Sequence, residues 1–206
     1  MMNHSAGETL SDEKGEVLLE LARRTLEERL GLSRGAPTGT DGTEKQLKDE
    51  TFDKNRGTFV TLKINNQLRG CIGNLSPDRP LAESVRENTL NAAFNDPRFP
   101  PLTREELESV QIEISLLTDP VKLEYNDADD LLAKLKPGVD GVIIRKGPHS
   151  STFLPQVWEQ LPDKKAFLGN LCLKAGLSAD EWQKGDLLVY IYHVQYFEEN
   201  QSHKGE

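Results

Sequence analysis

A cysteine between two glycines is the stretch of this chain whose residue types are best suited to chemistry. Cys71 stands between Gly70 and Gly73, with Arg69 before them, in the run LRGCIG. Cysteine reacts as the thiolate, a minor species near neutral pH unless a nearby cation lowers the thiol pKa from about 8.5. Because glycine has no Cβ, it accepts positive φ and lets a ligand approach the backbone closely. The run predicts either a reactive thiol with Arg69 as its cation or a small buried residue at a strand end.

A reactive thiol also needs a proton acceptor within hydrogen-bond reach, and two side chains are candidates. His149 lies in the run GPHSS, which predicts a turn. Glu113 lies on the polar face of a predicted strand, as a general base or as a salt-bridge partner of Arg69. A solvated turn imidazole and a surface ion pair are the ordinary alternatives. For ligand binding, the candidates are Arg69, the two glycines of LRGCIG, and Arg98 in the run NDPRF.

The sequence lacks the common motifs of metal, nucleotide and serine chemistry. It has no Cys-x-x-Cys and no His-x-x-x-His, and its two cysteines, Cys71 and Cys172, are far apart. It also has no Walker loop, no dinucleotide-binding fingerprint and no Gly-x-Ser-x-Gly. We therefore expect no metal and no cofactor, and an unknown small molecule as the ligand.

The composition excludes several classes of partner. Of 206 residues, 36% are hydrophobic and 29% are charged, which is typical of soluble globular proteins. The net charge of −9 argues against nucleic acid, because nucleic-acid binding depends on Lys and Arg neutralising phosphates. No run approaches the roughly 18 apolar residues of a membrane span, and no basic start followed by an apolar stretch marks a secretory signal. We expect a cytoplasmic protein with reduced thiols and no membrane partner.

The elements that position these side chains follow from the spacing of apolar residues. From Arg56 the residues alternate, which predicts a strand. Asn65 and Asn66 predict a two-residue hairpin turn, and residues 67–72 the return strand that carries Cys71.

Helices and strands alternate along the rest of the chain, and Cys172 falls on an apolar helix stripe that predicts a core position. Hairpin-like pairs and proline-rich breaks favour an α+β fold over a wound parallel sheet. Residues 33–50 are rich in glycine, threonine and charge, which predicts an exposed connection. The predicted helices are 11–31, 81–95, a capping-box helix from 103, 127–135, one from 155 and 163–175, and the further strands are 110–118, 139–145 and 187–197.

Several runs resemble the AMMECR domain family. They are LRGCIG, AFNDPRFPPL, IEIS, PGVDG and TFLPQVW, in that order, and they make residues 14–198 a single domain with tails at 1–10 and 199–206. The resemblance implies an α+β fold with two subdomains and a cleft between them near LRGCIG. The larger subdomain, with an antiparallel sheet, is built from both chain ends and the smaller one from the middle.

The same resemblance extends to protein A of the AmmeMemoRadiSam system, whose name implies partners. These are Memo-like proteins and radical S-adenosylmethionine proteins. Two classes of function stay open. In one, the protein is a cysteine-dependent enzyme or enzyme subunit. In the other, it is a non-catalytic module that binds a ligand or a protein in the same cleft.

Overall fold

The computed structural model describes residues 9–32, 45–75 and 78–199. Most of the predicted 33–50 connection and nearly all of both predicted tails lie outside the described residues. Among the helices of these three ranges, none has the length and apolarity that a membrane crossing needs.

Helices stand between pairs of consecutive strands along the described chain, and the strand pairings are antiparallel, which is typical of an α+β fold. In the first half they are α1 (Asp12–Arg29), β1 (Thr58–Ile64), β2 (Gln67–Asn74), α2 (Leu81–Phe94), α3 (Arg104–Leu107) and β3 (Val110–Leu117). In the second half they are β4 (Val121–Lys122), α4 (Ala128–Lys134), β5 (Gly141–Lys146), β6 (His149–Phe153), α5 (Val157–Gln160), α6 (Lys164–Lys174), a 3-10 helix (Glu181–Lys184), β7 (Leu188–Tyr192) and β8 (Val194–Glu198).

The chain divides into two compact units. The two-segment unit comprises the described residues of 9–117 together with 195–199, and the single-segment unit comprises residues 118–194. One unit is therefore built from both ends of the described chain and the other from the middle, as the family resemblance implied. Each unit contains one four-stranded sheet.

The two-segment unit has the sheet order β2-β1-β3-β8, and β1 pairs antiparallel with both β2 and β3. Asn65 and Asn66 have φ values of 52° and 62°, which confirms the predicted two-residue turn between β1 and β2. The buried face of this sheet packs with α1 and α2 into one apolar core. Fully buried members of that core include Leu18, Leu26, Val60, Leu62, Leu81, Val85, Ile112 and Ile114.

The position of α1 agrees with the predicted first helix, and local contacts mark both of its ends. The Ser11 hydroxyl accepts a hydrogen bond from the Lys14 N–H at 3.4 Å, as an N-cap does. Gly31, with φ of 68°, follows the helix end. Arg23, on the fourth turn, donates to the Leu107 and Val110 carbonyls and pairs with Glu199, which follows β8. This guanidinium therefore connects α1 with α3, β3 and the end of β8.

The single-segment unit has the sheet order β4-β7-β5-β6, in which β7 pairs antiparallel with β4 and β5, and β5 pairs antiparallel with β6. Trp158 stacks on Phe167 with ring centroids 3.6 Å apart, inside the core that α6 shares with this sheet. The prediction that His149 lies in a turn was wrong. Gly147, with φ of 55°, and Pro148 form the turn, while His149 pairs with Lys146 as the first residue of β6.

The predicted strand over 187–197 is two strands in two different sheets. β7 belongs to the sheet of the single-segment unit and β8 to the sheet of the two-segment unit, and His193 is the one residue between the two strands. The His193 N–H donates to Thr118 Oγ1 at 2.9 Å, and its Nε2 lies 3.1 Å from Asp140 Oδ1. Period-two alternation is the same in either sheet, so the sequence pattern does not reveal the change of partner.

Cys172 has no exposed surface and lies in the core of the single-segment unit, which confirms its predicted core position. Burial raises the pKa of its thiol above the ordinary value. Cys172→Ala is expected to lower the free energy of unfolding by about 1–2 kcal/mol, because the change leaves a small cavity. Urea unfolding measures this, with the alkylation rate of Cys71 as an unaffected control. An unchanged unfolding midpoint, or rapid labelling of Cys172 in the native protein, would contradict the core assignment.

Candidate functional site

Cys71 lies on β2, an edge strand, directly opposite Thr61 of β1. Its N–H donates to Asp96 Oδ2 at 2.9 Å, and its carbonyl accepts from Arg98 Nη2 at 3.1 Å. Its main chain therefore points away from β1, so Cys71 and Thr61 form a non-hydrogen-bonded pair, the kind in which side chains come closest. The Thr61 hydroxyl accordingly lies 3.3 Å from the sulfur of Cys71, which is a free, half-buried thiol.

Asp96 holds this segment of the edge strand in place. Its side chain is buried, and besides Cys71 it accepts hydrogen bonds from the Arg98 N–H at 3.1 Å, Nε at 2.9 Å and Nη2 at 2.7 Å. The hydrogen bond from the Arg98 side chain, followed by the two backbone N–H groups, holds the pKa of Asp96 well below its usual range. The carboxylate thus occupies the hydrogen-bonding edge at Cys71, where another strand would otherwise pair.

Arg98 is the cation beside the thiol. Its side chain is 53% exposed, and it is fixed by its pairing with Asp96. The Asp96 carboxylate raises the pKa of Arg98, and Arg98 Nη2 donates to the Cys71 carbonyl oxygen at 3.1 Å, so the cation contacts the residue that carries the thiol. Arg98 was a predicted ligand-binding residue. Sequence reasoning missed its partner Asp96, because an aspartate before a proline is also ordinary turn chemistry.

Arg69 does not serve the thiol, contrary to the prediction. On β1, Leu62 pairs with Gly70 and Lys63 pairs with Leu68, so Arg69 is the extra residue of a β-bulge. Its buried guanidinium donates from Nε and Nη2 to the two carboxylate oxygens of Glu106, at 2.8 and 3.0 Å.

That bidentate pair also overturns the predicted salt bridge between Arg69 and Glu113. Arg69 lowers the pKa of Glu106 below its usual range, so the partner carboxylate is charged. Glu106 closes the predicted capping box of α3 as well, because it accepts from the Thr103 N–H at 2.9 Å. Glu106 therefore anchors both β2 and the start of α3.

The two glycines of LRGCIG are explained by packing. Neither is among the positive-φ residues of the described chain, so backbone conformation does not require glycine at these two positions. A Cβ on Gly70 would lie 2.1 Å from the Ala92 carbonyl oxygen of α2. A Cβ on Gly73 would lie 2.3 Å from both the Phe59 ring and the Thr58 carbonyl oxygen. Atoms of this protein therefore occupy the space beside both glycines, where a ligand was expected to approach the backbone.

Glu113 lies on β3, opposite Thr61 and on the same face of the sheet. Cys71, Thr61 and Glu113 therefore form a row across three strands. The Glu113 carboxylate is 2.7 Å from Lys63 Nζ, and this contact is the main cause of the raised pKa of Lys63. The role of Glu113 as a general base stays a prediction.

His149 belongs to the single-segment unit, where its Nδ1 lies 2.9 Å from the Ala175 carbonyl oxygen at the end of α6. This is a contact with one of the last carbonyls of a helix, a common role for histidine. The pairing of His149 with Cys71 stays a prediction. In the described ranges, no group of three or more His, Cys, Asp or Glu side chains is arranged to hold a metal ion.

Comparison with known proteins identifies relatives over nearly the whole chain. A sequence profile of the AMMECR1 family matches residues 19–197. A protein of Nanoarchaeum equitans is 45% identical over 165 residues, covering 78% of this chain and 92% of the relative. A protein of Methanopyrus kandleri is 41% identical over 199 residues, covering 95% and 93%. The crystal structure of an uncharacterized protein from Pyrococcus horikoshii matches with a TM-score of 0.72 at 38% identity, covering 93% of this chain and 94% of that chain.

Proposed function

The chain belongs to the AMMECR1 family, and for this member we propose a cysteine-dependent enzyme or enzyme subunit with Cys71 as its nucleophile. One observation carries the proposal. The free thiol accepts a hydrogen bond from the Thr61 hydroxyl, and the Arg98 guanidinium donates to the carbonyl oxygen of the same cysteine, on a strand edge fixed by a buried carboxylate. Reactive cysteines typically lie in partly exposed surroundings with a cation nearby, as Cys71 does.

The chemistry follows from these groups. The sulfur supplies the electron pair for a bond to an electrophilic, doubly bonded carbon of a small molecule. The π bond at that carbon breaks, its electron pair moves to the substrate atom at the other end of the bond, and the thiol proton moves to an acceptor. Glu113, in the same row as Cys71, is the acceptor in the two-segment unit, and it must first give up its contact with Lys63. His149 is the alternative acceptor, supported by the sequence only. Arg98 then stabilises negative charge that develops on the substrate.

The proposed partners and compartment come from family association and composition. The name of the AmmeMemoRadiSam system supports Memo-like and radical S-adenosylmethionine proteins as partners. The two free, widely spaced cysteines support a cytoplasmic protein with reduced thiols.

A second candidate function is a non-catalytic binding module, and one observation favours it. The Cys71 sulfur receives its hydrogen bond from a hydroxyl, while the carboxylate in the same row is held by Lys63. A site with a donor but with its base already engaged is suited to holding a ligand as well as to attacking one.

Thiol reactivity distinguishes the two candidates. At about pH 7, Cys71 is expected to react with iodoacetamide at least about tenfold faster than a free cysteine derivative, whereas buried Cys172 is expected to react far more slowly. Arg98→Met should remove most of the advantage, because it removes the cation beside the sulfur. Mass spectrometry of peptides from a time course gives both rates.

The matched control is Arg86→Met, since Arg86 is exposed on α2 and should leave the rate of Cys71 unchanged. A Cys71 that reacts no faster than the free cysteine derivative, in both the native protein and Arg98→Met, would overturn the enzyme proposal in favour of the binding module.

A further inference from the structure

We propose that Thr61 is a positioning residue for the Cys71 thiolate, whose charge it stabilises by donating a hydrogen bond from its hydroxyl group to the sulfur. This inference rests on the proposed function, because a stabilised thiolate matters only if Cys71 reacts. The hydroxyl-to-sulfur distance of 3.3 Å is within the range of a hydrogen bond to sulfur. A residue that acts on a nucleophile in this way sets how much of the thiol is in its reactive form.

The position of Thr61 makes its hydroxyl a fixed donor. β1 is paired on both sides, with Thr61 opposite Cys71 on one neighbour and opposite Glu113 on the other. A residue in such a strand has little freedom to shift, and threonine is stiff about χ1 because it is branched at Cβ. The donor is therefore in place before the thiol ionises, so no reorganisation opposes the reaction.

Competition for the single hydroxyl proton of Thr61 also favours the sulfur. The neighbouring acceptor in the row, the Glu113 carboxylate, already receives the Lys63 ammonium at 2.7 Å. Lys63 is also 3.3 Å from Glu198, so the ammonium balances negative charge that would otherwise repel a thiolate. Cys71 thus has a neutral donor on its sulfur, the Thr61 hydroxyl, and a cationic donor on its carbonyl oxygen, the Arg98 guanidinium.

The test compares alkylation of Cys71 by iodoacetamide at two pH values in Thr61→Val and Thr61→Ser. Valine keeps the branched shape and removes the donor, whereas serine keeps the donor. At about pH 7, Cys71 in Thr61→Val is expected to react about fivefold more slowly than Cys71 in the native protein, a factor that corresponds to the loss of one hydrogen bond. At about pH 10, where ordinary thiols are ionised, the two rates should converge, and Thr61→Ser should match the native protein at both values.

Thr152→Val, a strand threonine whose hydroxyl contacts Tyr192, is the control and should leave the Cys71 rate unchanged. Equal alkylation rates of Cys71 in Thr61→Val and native protein at neutral pH would overturn the inference. A slowing of the same size at both pH values would also overturn it, because that result indicates that the valine blocks the access of iodoacetamide to Cys71. If Thr61→Val does not fold, Thr61→Ala takes its place under the same criteria. A native Cys71 without enhanced reactivity overturns the proposed function, whereas an enhanced rate that Thr61→Val leaves unchanged overturns this inference alone.

Discussion

Asp96→Asn is expected to lower the free energy of unfolding by about 2–4 kcal/mol, although the two side chains have the same shape. In the native protein, the carboxylate accepts the N–H groups of Cys71 and Arg98 as well as the Arg98 guanidinium. An asparagine amide turns an NH2 group toward at least one of these donors. A buried N–H is then left without a partner, which is the costly case. The ion-pair part of the loss is small, because the Arg98 side chain is 53% exposed.

Chemical denaturation of Asp96→Asn against native protein measures this effect, and Asp119→Asn is the matched control. Asp119 is exposed, so the same change there should alter the unfolding free energy by less than about 0.5 kcal/mol. Similar losses in the two variants would show that the Asp96 carboxylate does not fix the edge at Cys71.

The same carboxylate gives the native protein a defined dependence of stability on pH. Because the pKa of Asp96 is lowered by folding, its contribution is fully present above the ordinary aspartate value of about 3.9 and is lost as the pH falls below it. Stability of native protein should therefore fall more steeply than that of Asp96→Asn below about pH 4. Parallel stability curves for the two proteins in that range would contradict this assignment.

Gly70→Ala is expected to lower the free energy of unfolding by about 2–3 kcal/mol or more, because the added methyl meets main chain. The clash at 2.1 Å is with the carbonyl oxygen of Ala92, so β2 and α2 must move apart to accept it. Gly73→Ala should cost a similar amount, since the Thr58 carbonyl oxygen lies 2.3 Å from the new Cβ.

The control for these two variants is Gly169→Ala on α6. Its Cβ would lie 3.3 Å from the Ala179 carbonyl oxygen, a tight contact that the gain in helix propensity partly offsets. Melting temperature and the alkylation rate of Cys71 are measured on all three variants. If Gly70→Ala melts like native protein while its thiol rate changes, the space belongs to a ligand and the packing explanation is wrong.

Local signals in the sequence predicted much of this structure. The Asn65-Asn66 turn, the start of the first helix at residue 11 and the capping box at Thr103 depend on neighbours within about one turn, so each was found from sequence alone. The α+β class followed from the hairpin-like strand pairs and the proline-rich breaks. The family resemblance added the division into one unit from both ends and one from the middle.

The site depends on contacts that spacing does not encode. One extra residue, Arg69, makes a bulge that directs its guanidinium to Glu106, whereas its nearness to Cys71 in the sequence suggested it as the cation of the thiol. The partners of Cys71 come from a turn far along the chain, Asp96 and Arg98, and from the opposite strand, Thr61. Of these three, only Arg98 was a predicted site residue, because Asp96 and Thr61 also fit ordinary turn and strand chemistry.

The split of the last strand pair bears on the order in which the protein folds as it is synthesised. β8 completes the sheet that begins with β1, yet it is made after every strand of the single-segment unit. On the ribosome, the middle of the chain can close its own sheet while β3 still has an open edge. An open edge of this kind invites pairing with other chains. The sheet of the unit that carries Cys71 has the first strand to be synthesised, β1, and also the last, β8. The nascent chain therefore needs residues 194–198 to cover the open edge of β3.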